Sequence, residues 1–277
     1  MAITLLAASR RRPGLTRAEY QRYLEFYHGS IARMDKAGVA SYVQNHVLDG
    51  AFGLLTDKSH QQKVADRDGV VELRFNTFPQ MLDALEPPEP SASSVDGQFF
   101  AEECNNIIVM AEDEEIPVLH PVPTFNPGLG IVKGVGALKV MQYIMRDEEV
   151  FPEDFYQYWR EAHEEALQQS PYAQSELRRC VAYKRSRLND NDGAARAHFK
   201  MVDPPKFELV VAHWFDTIEH AGAFRQYVEA LQSYSKHKFA DWSKSFFVYT
   251  KQINIIRDTI PATPEVKELL ATSAKTE

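Results

Sequence analysis

The period of the apolar positions changes along the chain, and each change marks an element. Residues 3–8 are a short, largely apolar run of strand length, which suits a buried strand. Positions 20, 23, 24, 27, 31 and 34 are then apolar or aromatic at three- and four-residue spacing, the stripe of a helix laid against a core. Thr16-Arg-Ala-Glu19 opens that helix as a capping box, in which hydroxyl and carboxylate each satisfy an open backbone amide, and Gly38 closes it. Residues 40–48 and 69–75 read as strands, 78–85 as a second helix and 106–111 as a fourth strand, giving the order βαββαβ.

The order is repeated. Residues 136–145 read as a strand, and Pro152 stands at a first helical position ahead of an apolar stripe over 155–167. Residues 180–187 and 207–215 read as strands, 217–231 as a helix with a further helical stretch reaching Lys244, and 246–253 as the last strand. Tyr20, Tyr23, Leu24, Tyr27, His28 and Ile31 correspond at one constant offset to Phe155, Tyr158, Trp159, Ala162, His163 and Ala166. Val71 to Phe78 corresponds to Val211 to Ile218 at a slightly larger offset, which places an insertion in the loop 188–205. Two matches in the same order indicate duplication of one unit.

The predicted organisation is a first α+β unit over 1–115, a proline-rich linker over 116–134 whose prolines exclude a helix, a second unit over 135–257, and a tail over 258–277 read as a loosely docked helix. A βαββαβ unit of ferredoxin-like type packs both helices on one face of a four-stranded antiparallel sheet and leaves the other face uncovered. Two tandem units cover each other sheet to sheet. The expected fold is therefore a barrel-like core with helices outside, made by one chain as a pseudo-dimer.

Composition narrows the function classes. Hydrophobic residues are 44% and charged residues 25%, as in a globular protein. Lys and Arg number 31 against 39 Asp and Glu, a net charge of -8, and the one dense basic run, Arg10-Arg11-Arg12, turns at once into Pro13-Gly14. Nucleic-acid binding is not expected. No apolar run reaches membrane-spanning length, the amino terminus reads as a strand and not a signal peptide, and Cys104 and Cys180 have no ligand or disulfide spacing. No membrane association and a reducing, cytoplasmic location are the expectations.

Residues Arg11-Arg-Pro-Gly-Leu-Thr-Arg-Ala-Glu19-Tyr20, followed by Tyr23-Leu-Glu-Phe-Tyr-His28-Gly-Ser-Ile-Ala-Arg33, resemble the EthD-like family of the dimeric α+β barrel superfamily. The basic strand end, the Pro-Gly-Leu-Thr turn, the aromatic helix and the His-Gly step carry the resemblance. The second copy keeps Phe155, Tyr158, Trp159 and His163 but has Glu164 in place of the glycine. The resemblance implies a hydrophobic cavity between each sheet and its helices, overlooked by the helix histidine. Relatives include cofactor-free cyclases, decarboxylases, dehydratases and monooxygenases on polyketide-like substrates, some haem enzymes, and proteins without known activity.

The candidate chemistry centres on His28 and His163, at the border of the helical stripe, as general acid or base. Tyr23 and Tyr158 occupy equivalent positions and are the candidates for polarising a carbonyl or holding an enolate. Tyr20, Tyr27, Tyr42, His46, Trp159, Tyr183, His213 and Trp214 are candidate substrate contacts, with His213 and Trp214 facing opposite sides of their strand. His163-Glu164-Glu165 is not a zinc-protease motif, the glycines of 128–134 lack a phosphate loop's strand-to-helix context, and 189–193 lacks a calcium loop's carboxylates. No metal or cofactor is expected. The reading is a lyase or cyclase without cofactor, acting on a small hydrophobic aromatic or polyketide-like carbonyl compound of secondary metabolism. A cofactor-free monooxygenase and a non-catalytic stress or binding barrel are the alternatives, and the assembly is a monomeric pseudo-dimer or a homodimer.

Overall fold

A computed structural model describes residues 2–35, 39–48, 67–85, 92–102, 105–120, 138–187, 197–198 and 205–256. The strands are β1 (Ile3–Ser9), β2 (Ser41–Val47), β3 (Gly69–Phe75), β4 (Ile107–Ile116), β5 (Leu138–Ile144), β6 (Leu177–Arg185), β7 (Leu209–Phe215) and β8 (Phe246–Ile256). The helices are α1 (Arg17–Arg22), a π-helical turn (Tyr23–His28), α2 (Gly29–Asp35), α3 (Phe78–Leu85), α4 (Ala92–Asp96), α5 (Pro152–Gln169), α6 (Pro171–Glu176) and α7 (Ala221–Ser233). Short 3-10 turns follow α4 at Gly97–Phe99 and precede α7 at Ile218–His220.

The eight strands close into one antiparallel barrel in the order β1-β3-β2-β8-β5-β7-β6-β4. Each half contributes a block of four neighbours, and the two blocks join at β2 against β8 and at β4 against β6. Closure removes the open edges that two separate sheets would expose.

Alternation along each strand sorts the side chains. Inside the barrel, Leu6, Val70, Val109, Met141, Val210 and Val248 pack into one apolar cluster. Outside, Ile3, Leu5 and Phe75 pack under Met81 and Leu85 of α3, and Val140, Val211 and Phe247 pack under Trp159 of α5 and Phe224 of α7. The basic strand end and its turn are fixed locally. Gly14 has φ +94, a conformation that favours glycine, while Arg11 and Arg17 reach the buried Asp68 at 2.5 and 3.0 Å.

Several expected boundaries shift. The strand expected over 106–111 runs on to Ile116, because Glu114 and Glu115 pair with Lys184 and Arg179 of β6 instead of facing water alone. The helical stretch expected to reach Lys244 is absent. Residues 234–245 are mostly irregular, with a turn at 242–244 where the Asp241 carboxylate accepts from the Ser243 amide and hydroxyl and so competes with helical hydrogen bonding. α4 and α6 are short helices that the apolar pattern of the sequence does not mark. The Gly38 helix end, most of the linker and of the 188–205 insertion, the 128–134 glycines, the 189–193 loop, Cys104 and the 258–277 tail lie outside the described residues. Among the described residues no helix is long and apolar enough to cross a membrane.

Candidate active site

In the first half, the capping box at Thr16 and Glu19 forms as expected and starts α1. The helix then widens into the π turn, ending at His28. Two donors meet on the Leu24 carbonyl: the Gly29 amide, closing the wider turn, and Gln44 Nε2 at 2.7 Å. A Cβ on Gly29 would stand 3.1 Å from Ile255 Cδ1 and 3.5 Å from Gln44 Nε2, so the glycine lets the helix approach β2 and β8. Single π turns inside helices are often found at functional sites.

The turn delivers His28 to Asp96, at the end of α4. His28 Nδ1 stands 3.1 Å from Asp96 Oδ2, and the Tyr23 hydroxyl donates to Asp96 Oδ1 at 2.7 Å. The His28 side chain is 15% exposed and the Asp96 side chain 7%. Phe100 packs on the imidazole at 4.9 Å and on the Tyr23 ring at 5.5 Å, while Tyr42 meets the imidazole edge-on. Burial, and after it the Asp96 carboxylate, push the Tyr23 phenol up to about 12, so it remains a donor at neutral pH. A carboxylate at Nδ1 favours the tautomer with its proton there and leaves Nε2 as the basic nitrogen. Behind Tyr42, Gln44 Nε2 donates to the Tyr42 hydroxyl at 2.9 Å and Gln44 Oε1 stands 3.1 Å from His46 Nε2. Burial, with Lys251 nearby, lowers His46 to about 4.

The second half differs. α5 is an unbroken α-helix, and His163 lies fully buried within it. Its Nδ1 is 2.8 Å from the Tyr227 hydroxyl, and Trp159 packs on the ring at 5.1 Å. His213 faces the same space, while its neighbour Trp214 faces into the barrel, as alternation required. Burial, with a smaller contribution from Arg160, lowers His163 to about 3. The space between sheet and helices is filled by Trp159, Phe224, Tyr227, Phe247 and Tyr249, so the hollow implied for this half is a packed core. That packing does not fit a haem ring on His163.

A third polar centre lies inside the barrel. Lys139 on β5 is ion-paired with Glu72 on β3, and both are buried. Asn45 and Tyr183 donate to the same carboxylate at 2.5 and 2.8 Å. The Lys139 ammonium and the Arg179 guanidinium stack on Trp214 at 4.5 and 4.6 Å. Desolvation alone would raise the Glu72 carboxyl, but Lys139 and the two hydrogen bonds hold it below its ordinary value.

The structure thus gathers His28, Tyr23 and Tyr42 in one place, His163, Trp159 and His213 in a second, and Tyr183 with Trp214 in a third. Tyr20 is buried, its hydroxyl 2.6 Å from Ser9 Oγ. Tyr27 is 60% exposed and stacks on Tyr23. Tyr158 is partly buried at the margin of the α5 core and stacks on His237 at 4.2 Å, and it does not repeat the part of Tyr23. Asp96 gave no signal in the sequence beyond its place after a proline-rich stretch. Glu72 and Lys139 did: each is a charge set among mostly apolar strand residues.

The EthD domain family matches residues 12–103 and 147–243, well over half of the chain. The protein belongs to the EthD family. Its two EthD segments contain the two equivalent helices, one with His28 and one with His163. No curated protein matches this EthD chain in sequence. Among solved structures it is similar to a provisionally assigned chlorite dismutase, TA0507, with a TM-score of 0.53 at 12% identity over 92% of this chain and 95% of that chain. It is also similar to a provisionally assigned monooxygenase from Lactobacillus acidophilus NCFM, with a TM-score of 0.46 at 10% identity over 94% of this chain and 98% of that one. A variant chlorite dismutase from Candidatus Nitrospira defluvii gives a TM-score of 0.47 at 11% identity over 90% and 91%. At such identities the likeness concerns the fold alone.

Proposed function

We propose that the protein is a proton-transfer enzyme, a lyase or cyclase acting on an aromatic or polyketide-like carbonyl compound, and that its working site is in the first half. The barrel is read as two tandem ferredoxin-like units, 1–115 and 135–257. Supporting this reading, each half runs in the same order, β4-β1-β3-β2 and β8-β5-β7-β6. The observation that carries the functional proposal is Asp96, which holds His28 Nδ1 with one oxygen and the Tyr23 hydroxyl with the other.

His28 Nε2 takes the proton from the carbon next to the substrate carbonyl and returns it to the leaving group or the product. Asp96 stabilises the imidazolium in between. Tyr23, already donating to Asp96, positions the carboxylate and does not touch substrate. Tyr42 accepts from Gln44, so its own hydroxyl proton is the one directed to a developing enolate. His163, Tyr158 and Trp159 take no part in these steps. A cofactor-free monooxygenase would also begin by deprotonating its substrate, so the same imidazole serves both readings and oxygen uptake is the readout that separates them.

Incubating the protein in deuterated water with a panel of aromatic β-keto compounds, under simultaneous oxygen-electrode recording, tests this. The proposal expects deuterium to enter the carbon α to the carbonyl without oxygen uptake. Product formation coupled to oxygen consumption contradicts it and supports the monooxygenase.

A further inference from the structure

The second half carries a buried donor set that proton transfer does not use. Cys180 on β6 and His213 on β7 are direct cross-strand partners, and His163 comes onto the same face from α5. One donor atom from each lies within 4.8 Å of the other two. Cys180 is 0% exposed, His163 and His213 1% each. Side chains buried so completely normally have a hydrogen bond for every polar atom. Here His163 Nε2 and both ring nitrogens of His213 lack a well-formed one. The other nitrogen of His163 is held at 2.8 Å by the Tyr227 hydroxyl. An outer partner on one ring nitrogen is how proteins orient an imidazole that binds metal through the other.

We infer that His163, Cys180 and His213 form a zinc site. Two imidazoles and one thiolate are a borderline-soft set suited to Zn2+, and a water or other small donor completes the usual four ligands. Zinc bonds of about 2.0–2.3 Å set the donors about 3.5 Å apart, so the cluster contracts by about 1 Å on loading. On binding, the Cys180 S–H bond breaks, a Zn–S bond forms and one proton leaves to solvent. Zinc thereby takes up His163 Nε2 and one of the two open ring nitrogens of His213. In the first half, the strand register and the helix repeat put Tyr42, Leu73 and His28 at the equivalent positions, so those places hold no matching set. Spacing along the sequence conceals the site because its ligands come from three separate elements.

Titrating the chelator-treated, full-length protein with Co2+, both in the native state and during refolding, tests the assignment. The expected result is one Co2+ per chain, an absorption band from thiolate-to-cobalt charge transfer, release of one proton per ion, and displacement of the band by Zn2+. Cys180→Ser removes the band, His213→Gln weakens Co2+ binding at least tenfold, and Cys104→Ser keeps the band. Zn2+ raises the thermal midpoint of the native protein and not that of Cys180→Ser. Absence of saturable Co2+ and Zn2+ binding by the native protein overturns the site, as does a band that survives Cys180→Ser or vanishes in Cys104→Ser. If the Cys180 and His213 variants do not fold, the native band together with Cys104→Ser decides.

Discussion

Asp96 sets the chemistry of the first half because one carboxylate meets two groups of different use. Its bond to His28 Nδ1 fixes the imidazole tautomer, and its bond from Tyr23 restricts where the carboxylate itself sits. Replacing Asp96 by Asn keeps the size and removes the charge that stabilises the imidazolium. Deuterium exchange in Asp96→Asn is expected to fall about 10²-fold or more, a loss in kcat with KM little changed. Tyr23→Phe, which removes only the positioning bond, is expected to stay within about tenfold of the native rate. An Asp96→Asn variant with native exchange contradicts the assigned role. At this scale the sequence was informative in part. His28 stood out through its recurrence as His163, but its partner sits on a five-residue helix whose sequence has no distinctive periodicity.

At the scale of elements, equivalent sequence did not mean equivalent winding. Tyr23 to His28 and Tyr158 to His163 keep the same spacing, yet the first stretch is a π turn and the second lies in a regular α-helix. The cause is non-local: Gln44 from β2 shares the Leu24 carbonyl, and Gly29 gives the helix room against Ile255. No periodicity argument can see a side chain arriving from another strand. Glu164, the counterpart of Gly29, is exposed, which is why the second copy tolerates a charge there. Gly29→Glu in the first copy buries that charge against Gln44 and Ile255. It is expected to destabilise by at least about 2 kcal/mol and to disturb His28, seen as a lower thermal midpoint together with lost exchange. Elements governed by local chemistry were legible, including the Thr16 capping box and β3, whose expected range of 69–75 was met. The charged end of β4 was not, because the cross-strand partners of Glu114 and Glu115 are remote in sequence.

For the whole molecule, one closed barrel supplies the frame, and its two EthD-matching halves differ in what they bury. The closed barrel follows from two blocks of strands covering one another, but its interior charge pair crosses between the halves, Glu72 from the first and Lys139 from the second. Breaking such a pair strands a buried charge. Glu72→Gln is expected to cost about 3–5 kcal/mol, while Glu72→Leu combined with Lys139→Met is expected to lie near the native stability, both measured by chemical denaturation. The pH dependence has a definite sign. Because the folded Glu72 pKa is lowered, its contribution is complete above the unfolded carboxylate value of about 4.3 and is lost as pH falls through the lower folded value. Acid unfolding of the Leu/Met double variant is therefore expected to be shallower than that of the native protein.

On this reading an Asp96-held His28 moves the proton. The most direct measurement is α-carbon deuterium exchange by His28→Ala, with folding verified by circular dichroism, in the absence and presence of added imidazole. Exchange is expected to fall by about 10²-fold or more and to be partly restored by imidazole. Native exchange in the variant without imidazole would contradict it.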